Sequence, residues 1–157
     1  MHLTPPPSST ARPTVVPPQS RPVLRAFGDE VQFHLTGADT AGQYTMATVI
    51  TPPGGGPPPH IHENEDEWFH VLDGRVGFFS EGAWSEVGPG GTAYLPRGST
   101  HTFKNVGDKP STMLVQTAPA GFENFFTAVA DFCAAQENPD MGEVVAIAGR
   151  HGISFVH

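Results

Sequence analysis

The chain has 157 residues, one domain's worth and enough to bury a core without covalent staples. Sixteen acidic residues against eight basic ones leave a net charge of −8, which argues against a nucleic-acid partner or an anionic membrane surface. The lack of any apolar run of about 18 residues, the N-terminus without a signal-peptide core and the single cysteine, Cys133, together lead to the expectation of a cytoplasmic protein.

Residues 1–22 carry seven of the 17 prolines, with Ser and Thr between them, and read as a Pro-rich flexible arm. From Val23 onward the chain breaks into short β-like runs. Val31 to Leu35 alternates with period 2, and Tyr44 to Ile50 is rich in β-branched and aromatic residues. Glu67 to Leu72 stops at Asp73-Gly74, a two-residue hairpin signal, and Val76 to Phe79 resumes. Thr92 to Leu95, His101 to Lys104 and Thr112 to Thr117 follow. With no helical period between them, these runs predict an all-β sandwich or barrel over 23–118.

The period then changes. Phe122, Phe125, Phe126, Val129, Ala130 and Cys133 fall on one helical face, which makes Cys133 a small buried hydrophobe and not a nucleophile. Asn138-Pro139-Asp140 breaks the helix, Asp140 to Arg150 forms a second one closed by Gly152, and Ile153 to Val156 returns as an edge strand. Segment 119–157 is therefore expected to be C-terminal helices and a tail, packed on the barrel or across its mouth.

Among the eight histidines, His60 and His62 are two apart and share one face of an extended strand. Glu67 lies on the next run and His101 heads a later one. Three imidazoles and a carboxylate suit one divalent transition metal per chain (Fe, Ni, Mn, Co, Cu or Zn) and leave positions open for water or substrate. Glu63, Glu65 and Asp66 read as a solvated acidic loop. His70 faces the opposite side of its strand from Glu67, and His2, His34, His151 and His157 are assigned no role. Phe69 and Val71 share the inward face of Glu67, and Phe103 that of His101; Tyr44, Met46 and Tyr94 are further pocket candidates. Arg97 is given little weight as a substrate contact.

Gly54, His60, His62, Glu67 and Gly74 match G-x5-H-x-H-x(3,4)-E-x6-G, and Gly90, Pro96, Gly98, His101 and Asn105 match G-x5-P-x-G-x2-H-x3-N. In these two motifs the chain resembles the cupins. Thr51 to Glu67, the Phe-rich C-terminal helix and Arg150 to Phe155 are similar to the single-domain bacterial cupins grouped with quercetin 2,3-dioxygenase. The resemblance implies a double-stranded β-helix, or jelly-roll, with a short C-terminal helical extension. It also implies metal ligation by His60, His62, Glu67 and His101, and a homodimer.

The activity expected from it is cleavage of a flavonol-like aromatic enol by dioxygen, with loss of carbon monoxide and Glu67 as base. A hydrophobic wall at Phe69 is expected to raise the Glu67 pKa. The alternatives are a non-oxidative metal-dependent enzyme (isomerase, cyclase, decarboxylase or lyase) and a small-molecule binding or sensor domain.

Overall fold

Residues 11–156 are described by a computed structural model. Eleven strands and three helices follow in order among them: β1 (Leu24–Ala26), β2 (Asp29–Leu35), α1 (Gly37–Thr40), β3 (Thr45–Thr51), β4 (His60–His62), β5 (Asp66–Asp73) and β6 (Val76–Ser80). Then come β7 (Ala83–Val87), β8 (Thr92–Leu95), β9 (His101–Asn105), β10 (Ser111–Ala118), α2 (Phe122–Ala134), α3 (Met141–Arg150) and β11 (Ile153–Phe155). None of the helices is long and apolar enough to cross a membrane.

Strict alternation sets the layers. β3 buries Thr45, Ala47, Val49 and Thr51, and β10 buries Ser111, Met113, Val115 and Thr117. Each strand thus gives one face to a shared interior. One sheet has the order β1-β2-β3-β10-β5-β8 and the other β11-β4-β9-β6-β7, all pairs antiparallel. This is the expected jelly-roll. Between the sheets, Phe69 meets Phe78 at 5.3 Å and Phe103 at 5.4 Å between ring centroids, a tilted cluster at the centre of the core.

Asp73-Gly74 is a corner and not the expected hairpin, because β5 and β6 lie in different sheets. Phe69 and Val71 on β5 and Val76 and Phe78 on β6 fill the same interior from opposite sides, so the chain must cross between them. Gly74 takes φ 87°, and a Cβ there would lie 2.9 Å from the Ser111 backbone. True two-residue hairpins occur at Phe27-Gly28 and Glu81-Gly82, where both residues have positive φ. The one-turn helix α1 also interrupts a stretch read as strands alone. Thr36 and Asp39 form a capping box there, and Asp39 holds Arg21 at 2.8 Å.

The C-terminal helices build a second core of Ala26, Phe125, Val129, Val144, Ile147, Ala148 and Ile153. α3 starts on an Asp140 cap that accepts from the Gly142 N–H. The α2 N-cap is Gly121, which has no side chain to cap with, and Glu123 takes over by accepting from the N–H groups of Gly121 and Gly37. This fixes α2 across one end of the barrel. The first ten residues of the Pro-rich arm, His2 included, and His157 lie outside the described residues.

Candidate metal centre

β4 supplies His60 and His62 on its buried face, and its pairing with β9 sets His60 opposite His101. β5, from the other sheet, brings in Glu67. All four side chains are buried, and their ligand atoms lie within 4.8 Å of one another. His62 and His101 are nearly parallel, 5.5 Å apart, and the His60 ring stands edge-on to both.

The backs of the imidazoles decide what their fronts can do. His60 Nδ1 lies 2.9 Å from Pro58 O, and His101 Nδ1 lies 3.0 Å from Ser99 O. A carbonyl only accepts, so each Nδ1 carries the proton and each Nε2 turns a lone pair inward. His101 Nε2 then meets Glu67 Oε2 at 3.2 Å, acceptor against acceptor, an arrangement that calls for a cation or a proton between them. Among the described residues, His62 Nε2 is buried without a hydrogen-bond partner. These donors therefore fit a divalent metal and could hold one.

Two motif residues explain how the cage is set. Gly98, at φ 79°, donates its N–H to His62 O at 2.7 Å, which docks the 96–99 turn on β4 and aims Ser99 O at His101. Asn105 is locked between Thr51 O and Lys109 O through Nδ2 and accepts from the Gly107 N–H.

Glu65 departs from the reading as part of a solvated loop: it is buried, and its Oε2 lies 3.4 Å from His62 Nδ1. Only Glu63 of that group is exposed, since Asp66 is half-buried and paired with Arg97. Burial pushes the His60 pKa down to about 4, so the ring is neutral at physiological pH. Burial also favours neutral His62, but Glu67 and Glu65 outweigh it and raise its pKa. For Glu67, burial pushes up, yet His62, His101 and His60 together hold the carboxyl below its ordinary value. The expected upward shift at Phe69 is thus overturned by three close imidazoles.

A void of about 60 Å³ adjoins the cluster, lined by His60, His62 and Glu67 and by a ring of apolar side chains. Phe69 and Phe103 are in its wall. Val71, fully buried, belongs to the core and not to the wall. Tyr44, Met46 and Tyr94 also lie off the cavity: the inward phase of β3 falls on Thr45 and Ala47, and Tyr94 is 61% exposed.

The missing wall comes from α2. Phe122 stands edge-on to His62 at 5.0 Å, and Phe126 meets Phe33 at 6.0 Å. The i, i+3, i+4 stripe of α2 carries the signal, and from sequence it predicts packing on the barrel or across its mouth. His34 and His70 bond Thr48 and Thr92, away from the cluster.

The family model for the cupin domain matches residues 47–117. The barrel is a cupin domain. Quercetin 2,3-dioxygenase of Bacillus subtilis is 26% identical over 93 residues, covering 59% of this chain and 27% of that protein. The rhicadhesin receptor of Pisum sativum is 34% identical over 102 residues, covering 62% of this chain and 44% of its own length. The chain thus spans less than half the length of either relative. A "predicted oxalate decarboxylase" from Thermotoga maritima superposes with a TM-score of 0.63 at 21% identity, covering 68% of this cupin and 99% of that chain. Names of such different kinds on one barrel mean that the site must carry the functional argument.

Proposed function

We propose that this cupin is a metal-dependent dioxygenase that opens a flavonol-like aromatic enol, with one divalent transition metal held by His60, His62, Glu67 and His101. The observation that carries the reading is an aromatic-walled void opening directly onto the buried donor cluster. The similarity to a quercetin 2,3-dioxygenase supports it. A bound divalent ion would supply Lewis acidity, making a neighbouring substrate hydroxyl easier to deprotonate.

Glu67 receives that proton. Its lowered pKa keeps it anionic at neutral pH, and its Oε2 faces His101 Nε2 at 3.2 Å and His62 Nε2 at 3.5 Å. Phe69, Phe103 and Phe122 flank the substrate plane and exclude water. The void of about 60 Å³ holds water-sized guests and is smaller than an aromatic ring needs, so the substrate enters as the α2 phenylalanines turn aside. Ring opening consumes one dioxygen per substrate and releases a phenolic ester and carbon monoxide.

A second reading, a non-oxidative enzyme, is favoured by the same Glu67 contacts, since a carboxylate between imidazoles can move a proton without oxygen. An oxygen electrode separates the two. With protein loaded with iron, nickel, manganese or cobalt, flavonol should draw down one dioxygen per turnover and release carbon monoxide. Equal substrate loss under nitrogen would transfer the assignment to the second reading, and no loss under either gas would remove both.

A further inference from the structure

Asp29 stands in the wall of the same cavity, remote along the barrel from Glu67. Glu67 pairs with Thr117 and Thr117 with Thr45, at the start of β3; Asp29 lies beside Thr51, at the end of β3. Val31 follows it on the inward face of β2, Thr51 stands across from it on β3, and Phe27, Val49 and Pro57 line the same cavity. The side chain is 6% exposed, and among the described residues its Oδ1 makes no well-formed hydrogen bond, although the Thr51 hydroxyl stands beside the carboxyl. A bare carboxylate oxygen in such a place destabilises the fold. A leucine would continue the inward stripe of Val31 and Phe33 at no such cost.

We propose that Asp29 sets ligand specificity, accepting through Oδ1 a hydrogen bond from a hydroxyl on a ligand seated in this cavity. The inference shares with the proposed function only the cavity as ligand site and needs no oxygen chemistry. Burial raises the Asp29 pKa to about 6, so at neutral pH it is an anion that can only accept. A hydroxyl suits the position better than an ammonium, which would exchange its whole hydration shell for one carboxylate among apolar walls. The ligand class is an apolar, ring-bearing molecule with a hydroxyl distant from its metal-facing end.

The test uses phenol and toluene, matched in size and differing in hydroxyl against methyl. Their binding to the full chain is measured by calorimetry for the wild type, Asp29→Leu and Asp29→Asn. The ratio of phenol to toluene affinity should fall about tenfold or more in Asp29→Leu, the worth of a hydrogen bond to a charged acceptor. Asp29→Asn, which keeps an acceptor oxygen and nearly the same shape, should fall less. Undiminished toluene binding by Asp29→Leu shows that the cavity survives; should that variant not fold, a lowered ratio in Asp29→Asn carries the test. An unchanged ratio, or a wild type that binds neither probe, overturns the proposal and leaves Asp29 satisfied by water alone. Failure of flavonols to draw down oxygen removes the proposed function without touching this ratio.

Discussion

His62 is held between two carboxylates: Glu65 Oε2 lies 3.4 Å from its Nδ1 and Glu67 Oε2 lies 3.5 Å from its Nε2. Glu65 faces the protonated back of the ring, where a carboxylate fixes the tautomer and makes the inward nitrogen more basic. Glu65→Ala is therefore expected to weaken metal binding by roughly tenfold to a hundredfold while leaving the four donors in place. Competition against a chromophoric chelator measures it, and wild-type affinity in the variant would reduce Glu65 to a packing residue.

His60→Ala and His101→Ala each remove a donor whose Nδ1 is already committed to a backbone carbonyl. Elemental analysis should show substoichiometric metal in both variants. In the wild type, metal at a hundredfold excess over Kd should add about 2.7 kcal/mol to stability, and this increment should shrink in both variants. A full complement of metal in either variant would remove that histidine from the ligand set.

Glu67→Gln separates binding from proton transfer. The amide offers an oxygen ligand but no base, so turnover should drop by at least a hundredfold while some metal remains bound. Metal content and initial rate are to be read on the same preparation. A wild-type rate at partial occupancy would end the role of Glu67 as proton acceptor.

The raised pKa of Asp29 makes stability depend on pH with an unusual sign for a carboxylate. Below its ordinary value of 3.8 the group is protonated folded and unfolded, and it contributes no penalty. Between 3.8 and about 6 the unfolded chain releases its proton first, so stability falls as pH rises; above about 6 the penalty is constant. Asp29→Asn should therefore be more stable than wild type at pH 7.5, by up to about 3 kcal/mol, and by little at pH 3.5. Urea denaturation at the two pH values checks this, and equal differences at both would contradict it.

Phe125 joins α2 to the barrel: it is 3% exposed and its ring contacts Phe27, Phe122 and Phe126. Phe125→Ala should cost roughly 3–5 kcal/mol, a large share of a typical domain's stability. Truncation after Thr117 exposes Phe27 and Phe33 as well and should give insoluble protein. A soluble truncation that still binds metal would show the helices to be accessory.

The cluster of four donors was legible in the sequence because donors on strands need set spacing, and the turns between them need glycine where φ is positive, as at Gly98. The breaks at Asn138 to Asp140 and at Gly152 were legible because they are local chemistry. Sheet membership was not, since Asp73-Gly74 serves a corner as readily as a hairpin and only the partner strands distinguish them. Glu65 looked like its exposed neighbour Glu63, and burial at one position of an acidic run leaves no local mark. Tyr44 and Met46 were misplaced by one residue of strand phase, which exchanges the two faces.

The cavity has two origins in the chain. Its donors come from β4, β5 and β9, within the stretch that matches the cupin model, whereas Phe27, Asp29, Phe122, Phe125 and Phe155 come from either side of it. Selection acting on the flanking segments can redraw the ligand-facing surface without disturbing a single metal donor, and an engineer can do the same. Such a molecule changes its diet by exchanging its ends.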